Sequence, residues 1–235
     1  MDLIFMQIFT NKENDMNIAN NVLKHSLQNV YFLVGTACGG KTTASRLLSE
    51  KYGFIHFNDN WHEDSFKVWQ SIIDEKYQKR ASKRQEVTDW EAFFGRSVEE
   101  FLAAGDYNGN EEYLEYAIIE LVKLSQTQKV VADISLPISL LMELSEYSRI
   151  ACMLAPPDYV TCEKYGARAD HKEFLDCIMS LKEPEKKIAT QNELFKIGVE
   201  KIFTDANKYN LFKIVRNAKS TPEKTLKLLE EHFDL

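Results

Sequence analysis

The amino-acid sequence predicts an α/β protein, a parallel sheet covered by helices on both faces. Three observations carry this reading. Short apolar runs of strand character alternate with helix-patterned stretches along most of the 235 residues. The first such run, Asn29–Val34, leads into Gly35-Thr36-Ala37-Cys38-Gly39-Gly40-Lys41-Thr42, which fits the pattern G-x-x-x-x-G-K-[ST]. A helix pattern, Thr43–Tyr52, follows at once. Strand, glycine loop and helix in that order are the context such a loop requires.

Composition bounds the remainder. With 44% hydrophobic and 28% charged residues, the chain suits one sizeable domain with a helical insertion. A net charge of −7 argues against nonspecific nucleic-acid binding, which needs basic surface. Cys38, Cys152, Cys162 and Cys177 form no C-x-x-C pair, so a zinc-clamped element is not expected. A cysteine inside the loop suits a reducing, cytoplasmic setting better than a disulfide framework. No apolar run approaches the roughly 20 residues of a membrane helix. Met1–Thr10 is apolar but lacks a basic leader, so no signal peptide is expected. Met16 offers an alternative start.

The elements follow in order. Residues 17–28 carry Ile18, Val22, Leu23 and Leu27 at helical spacing and lead into the first strand. The helix after the loop buries Ala44, Leu47, Leu48 and Tyr52 and ends at Gly53. Phe54–Phe57 is a second strand, running into the polar Asn58–Asp64. Trp61 to Arg84 is helical, with Trp69, Ile72, Ile73 and Tyr77 on one face. Thr88 and Glu91 form a capping box for a helix through Phe94, Val98 and Leu102. After a break at Gly105–Gly109, Glu111–Ser125 is a further helix. Lys129–Ile134 is a third strand, carrying Asp133 near its end, and Pro137 opens a short helix to Tyr147. Arg149–Leu154 is a fourth strand, stopped by Pro156-Pro157. Residues 158–209 are helical with breaks near Gly166 and Pro184, Leu211–Val215 is a fifth strand, and Thr221 with Pro222 caps a last helix.

The loop's chemistry follows from its residue types. Its glycines let backbone N–H groups turn inward around an anion, and the next helix adds the positive end of its dipole. The backbone from Gly35 through Thr36, Ala37, Cys38, Gly39 and Gly40 to Lys41, Thr42 and Thr43 is the expected ATP-binding set. Lys41 reaches the β- and γ-phosphates, and the Thr42 hydroxyl ligates Mg²⁺.

With these residues in order, the chain resembles the P-loop kinases of the nucleoside, nucleotide and shikimate kinase type over about 29–232. The resemblance implies a three-layer α/β/α fold whose five parallel strands run 2-3-1-4-5. It implies a domain over 29–235 preceded by an extension and helix over 1–28. A substrate-binding insertion falls at 60–126 and a lid at 157–182. It further implies a small-molecule phosphate acceptor, with ATP and Mg²⁺ as cofactors. Asp133 stands where an acid supports Mg²⁺, and Asp59 where an acid orients the acceptor hydroxyl, with Glu63 and Asp64 as rivals. Arg168 is the lid cation chosen over Lys164 and Lys172, because arginine grips two phosphate oxygens at once. The loop holding Asn217 and Ala218 is where adenine would lie. The strand of Asp133 continues Ser135-Leu136-Pro137, unlike the deoxynucleoside kinases, which follow the acid with Arg-Ser.

Other readings stay open. The spacing of His56, Asp59 and His62 allows a metal site, but strand and helix placements do not bring them together. Lys79, Arg80, Lys83 and Arg84, with Arg96 further on, read first as a solvated face and second as a site for an anionic acceptor. A GTPase lacks support, since the nearest base-reading match, Asn11-Lys12-Glu13-Asn14, has no acid and precedes the loop. An ATP-binding sensor or partner-binding module without transfer activity is the chief alternative.

Overall fold

The computed structural model describes residues 20–58, 89–104, 111–168 and 171–235. In order they form α1 (Asn20–Ser26), β1 (Val30–Gly35), α2 (Lys41–Tyr52), β2 (Ile55–Asn58), α3 (Trp90–Phe94), α4 (Val98–Ala104), α5 (Glu111–Ser125) and β3 (Val130–Asp133). Then come α6 (Ile138–Leu144), β4 (Ile150–Leu154), α7 (Cys162–Gly166), α8 (Lys172–Met179), α9 (Pro184–Lys208), β5 (Lys213–Val215) and α10 (Pro222–Phe233). One 3₁₀ turn, Pro157–Tyr159, follows β4.

The five strands make one parallel sheet in the order β2-β3-β1-β4-β5. This is the order the resemblance implies. Both faces of the sheet are covered, which explains why its central strands are apolar without alternation. Val30, Phe32 and Val34 of β1 join a core with Ala117 and Leu121 of α5, Leu141 and Leu144 of α6, and Ala206 of α9. Tyr31 and Leu33 point the other way, to Ala44 and Leu48 of α2 and Leu229 and Phe233 of α10. Successive strand residues alternate faces, so β1 feeds both layers at once.

A third cluster lies beyond the sheet. Phe94 of α3 packs with Val160, Tyr165, Phe174, Ile178, Phe195 and Val199. It joins the helical segment between β2 and β3 to the segment between β4 and β5. Tyr165 stacks on His171 at 4.3 Å, and Phe94 meets Phe174 edge-on at 5.9 Å.

The helices between β2 and β3 differ from expectation. The cap of α3 is Asp89, whose side chain accepts from Ala92 N at 3.0 Å, rather than Thr88. Thr88 lies outside the described residues, and Glu91 reaches elsewhere. Its carboxylate reaches Lys187 Nζ at 2.6 Å and Lys182 N at 3.1 Å on the far side of the chain. Lys187 is buried and also donates to Lys182 O at 2.6 Å, so its ammonium is met by two oxygens. The reciprocal box lies one helix later. Ser97 N donates to Glu100 Oε2, and Glu100 N donates to Ser97 Oγ. The expected single helix through Leu102 is therefore two helices, divided at Gly95-Arg96-Ser97.

Gly166 marks the α7–α8 corner for a steric reason. A Cβ placed there would lie 2.4 Å from Leu175 Cβ. Gly166→Ala is expected to lower unfolding free energy by about 1–3 kcal/mol through overpacking, read as a lower urea midpoint with an unchanged m-value.

Candidate functional site

The loop between β1 and α2 is shaped by its neighbour strand. Gly35 pairs with Met153 of β4, and Thr36 N donates to Met153 O at 3.1 Å. The chain then curls around that same carbonyl. A Cβ on Gly35 would sit 2.0 Å from Met153 O, and one on Gly39 2.4 Å from it. Gly35 has φ +127° and Gly40 +94°, the left-handed region that favours glycine. Gly39 occupies a variable position of the motif, yet packing alone requires glycine there. Thr36 is fully buried, and its Oγ1 accepts from Ala155 N at 2.7 Å, which ties the loop to the exit of β4.

Inside the curl, Lys41 Nζ donates to Thr36 O at 3.0 Å and Gly35 O at 3.4 Å. α2 starts at Lys41 with Gly40 as its cap and no side-chain capping bond. Its first N–H groups thus need a partner from elsewhere, which an anion at a helix N-terminus supplies. Thr42 and Thr43 are exposed on this first turn.

Four cations act on the loop. Burial raises the pKa of the Cys38 thiol above its ordinary value, opposed by the charges of Arg168, Lys41, Arg216 and Lys164, in that order. Arg168 follows α7, Lys164 lies within it, and Arg216 follows β5. Arg168 is half-buried at 5.8 Å from the Tyr165 ring. Arg216 Nη1 donates to Cys38 O at 3.0 Å, and Cys38 itself has a left-handed φ of +56°. Tyr159 receives Lys164 Nζ at 3.5 Å and the Arg216 guanidinium at 5.1 Å from its ring centre. Neither Arg216 nor Tyr159 stands out in the sequence. The only local signal is a basic residue directly after the last strand.

An open cleft beside the loop is lined by Gly39, Gly40 and Thr43 on one side and by Arg216, Ser220 and Pro222 on the other. Asn217 lies in the turn above it. Its side-chain oxygen accepts from Lys219 N at 2.8 Å, and its backbone N–H donates to Ser220 Oγ at 3.0 Å. Its carboxamide oxygen therefore shapes this wall of the cleft through the turn.

Asp133 is buried at the end of β3, level with Leu33 of β1 and Asn58 of β2. It shares the α2 face with Val131, two residues earlier. His56 of β2 feels its charge. Burial lowers the His56 pKa, Asp133 opposes that shift, and Arg46 adds to it. The structure thus brings the loop, Asp133, Arg168 and the turn of Asn217 to one end of the sheet. Asp59, Glu63, Asp64, His62 and the basic run 79–84 lie outside the described residues; β2 ends one residue before Asp59. Arg96 is not on a solvated face. Its guanidinium lies 4.4 Å and 4.2 Å from the ring centres of Phe93 and Phe101.

Whether Mg²⁺ suits this end can be judged from its donors. Mg²⁺ takes oxygen ligands and is held by one or two carboxylates plus substrate phosphates and water, rather than by an all-protein cage. An exposed threonine hydroxyl and one nearly buried carboxylate match that demand. Among the described residues no group of three His, Cys, Asp or Glu could hold a metal ion. All four cysteines are free thiols. No helix of the described residues is long and apolar enough to cross a membrane.

No family model matches the chain, and no curated protein matches it. Among solved structures it is similar to a shikimate kinase from Bacteroides thetaiotaomicron, at 15% identity and TM-score 0.45, covering 88% of this chain and 98% of that one. It is likewise similar to a shikimate kinase from Acinetobacter baumannii in complex with shikimate, at 15% identity and TM-score 0.39, covering 87% and 93%. The fold itself is defined by the chain's own strand order and loop: a P-loop α/β/α domain.

Two expectations follow. Gly35→Ala and Gly39→Ala each drive a methyl into Met153 O, costing about 3 kcal/mol or more, read by urea unfolding. Because burial raises the Cys38 pKa, its thiolate forms only at higher pH than that of a free cysteine. Iodoacetamide at pH 7 should therefore label Cys38 more slowly than free cysteine, the rate climbing as pH rises, followed by peptide mass mapping.

Proposed function

We propose that the chain is an ATP-dependent phosphotransferase that moves the γ-phosphoryl group of Mg·ATP to a small-molecule acceptor. The observation that supports this most is the convergence of Lys41, Lys164, Arg168 and Arg216 on a loop whose helix N-terminus is uncapped. Such an arrangement suits a polyanion whose charge shifts during reaction, because fixed cations stabilise charge where it develops.

In this reading the residues take the following roles. The backbone of Gly35–Thr43 cradles the phosphates, and Lys41 leaves the Thr36 and Gly35 carbonyls to meet the β- and γ-phosphates. Nucleoside binding belongs to the cleft by Arg216 and Pro222, beneath the turn of Asn217. Asp59 accepts the proton of the acceptor hydroxyl as its oxygen bonds to the γ-phosphorus. The bond to the bridging oxygen breaks, and ADP departs. Thr42 and Asp133 would hold Mg²⁺, which when bound would neutralise phosphate charge. Arg168 meets the transferring group from the lid. In this reading 157–182 is the lid, 60–126 carries the acceptor site, and 1–28 is an extension to the domain over 29–235. The setting proposed is the cytoplasm.

The test is ADP release with Mg·ATP and a panel of sugars, shikimate, nucleosides and nucleotides. At least one acceptor should raise release above a Lys41→Ala control. Arg168→Ala should lower that turnover by about 100-fold or more, with a far smaller change in ATP affinity. Tight ATP binding with no turnover on any acceptor would instead make the chain a nucleotide-binding sensor.

A further inference from the structure

Beside the loop lies a polar pair, a buried serine and a half-buried histidine, that the reaction above leaves unused. Ser45 is fully buried one turn into α2. Its Oγ donates to Thr42 O at 3.1 Å and lies 2.8 Å from His56 Nε2. A serine hydroxyl carries one proton. With that proton on the Thr42 carbonyl, Oγ accepts from His56 Nε2–H, which sets the ring as the Nε2–H tautomer.

The pair spans the two parts of the cation site. Thr42 stands on the first turn of α2, and Asp133 ends β3. Among the described residues β2 is the sheet's edge strand, hydrogen-bonded to β3. His56 sits on β2 opposite Val131, two residues before Asp133, on the face turned to α2. Through Ser45 it therefore ties the turn that carries Thr42 to the strand pair that carries Asp133. The geometry points to Ser45 and His56 as positioning residues for the divalent cation, setting the Thr42 hydroxyl at its distance from the Asp133 carboxylate. The inference rests on the phosphotransferase reading.

The reason such a tie matters is the ion's rigidity. Mg²⁺ demands near-octahedral oxygens at about 2.1 Å, so a small rotation of the first helical turn costs it a ligand. Groups that orient ligands without touching the metal typically contribute about 10–100-fold to affinity. The backbone N–H groups from Gly35 to Gly39 are set by the loop's curl around Met153 rather than by this pair, so nucleotide affinity without metal depends less on it.

The experiment is a Mn²⁺ titration of the full chain with ATP, free Mn²⁺ being read by electron paramagnetic resonance. Affinity for a fluorescent ATP analogue in EDTA is measured alongside. His56→Phe keeps a ring but loses the donor, and Ser45→Ala removes one buried oxygen. Both should weaken Mn²⁺ by about tenfold or more while leaving metal-free nucleotide affinity within about twofold. His56→Gln, which returns an N–H donor at similar reach, should recover most of the loss. Unchanged Mn²⁺ affinity in Ser45→Ala or His56→Phe overturns the inference. So does a loss shared equally by metal and metal-free nucleotide, which marks a general loosening of the loop. If His56→Phe does not fold, Ser45→Ala and His56→Gln decide the matter. A wild-type chain that binds no nucleotide in either arm fails at the earlier step and removes the ground for both readings.

Discussion

One carbonyl organises the functional end of this molecule. Met153 O lies on β4, next to β1 at the sheet's centre, and the phosphate loop is wound around it. It accepts the Thr36 N–H and leaves no space for a side chain at Gly35 or Gly39. The parallel register of β1 with β4 thus dictates the loop's curvature before any ligand arrives. Thr36 extends the tie by holding Ala155 N, from which the chain departs toward Tyr159 and helices α7 and α8. Backbone N–H groups preset in this way need little reordering to receive phosphates, and preorganised sites bind with a smaller entropic cost.

Charge is gathered by the same route. β4 delivers Tyr159, α7 delivers Lys164 and Arg168, and β5 delivers Arg216. Tyr159 lies near both Lys164 and Arg216, so its ring offsets part of the repulsion between two cations brought together. Arg216 also fixes the Cys38 peptide, whose left-handed conformation is uncommon for a residue with a Cβ. The aromatic cluster of Phe94, Tyr165, Phe174 and Phe195 then holds the segment that carries these cations against α3 and α9.

How much was legible in the sequence depended on the range of the interaction. The strands were readable because burial on both faces leaves runs such as Val130-Val131-Ala132 without polar breaks. The loop was readable because phosphate chemistry compresses its demands into eight adjacent residues. The strand order came from resemblance to a family, not from any periodicity, and the fold shows that order. Arg216 was not readable, since its partner Cys38 lies 178 positions away. The same distance problem hid the contact of Glu91 with Lys187, 96 positions off. Asp89, next to Thr88, offers an equally good capping side chain, and local pattern could not rank the two. Ser45 and His56 look like an ordinary helix serine and strand histidine until the sheet edge and α2 are set side by side.

The Glu91–Lys187 contact reaches beyond holding two helices together. Lys187 is almost wholly covered, and an ammonium in apolar surroundings is costly without oxygens to meet it. The observed seating of α3 against α9 supplies the Glu91 carboxylate there; a slipped or rotated alternative leaves the ammonium with the Lys182 carbonyl alone. The aromatic contacts nearby are tolerant, since phenylalanine rings pack acceptably in several arrangements. The buried lysine therefore contributes discrimination among competing packings of the same apolar surfaces, narrowing a permissive cluster to a single one.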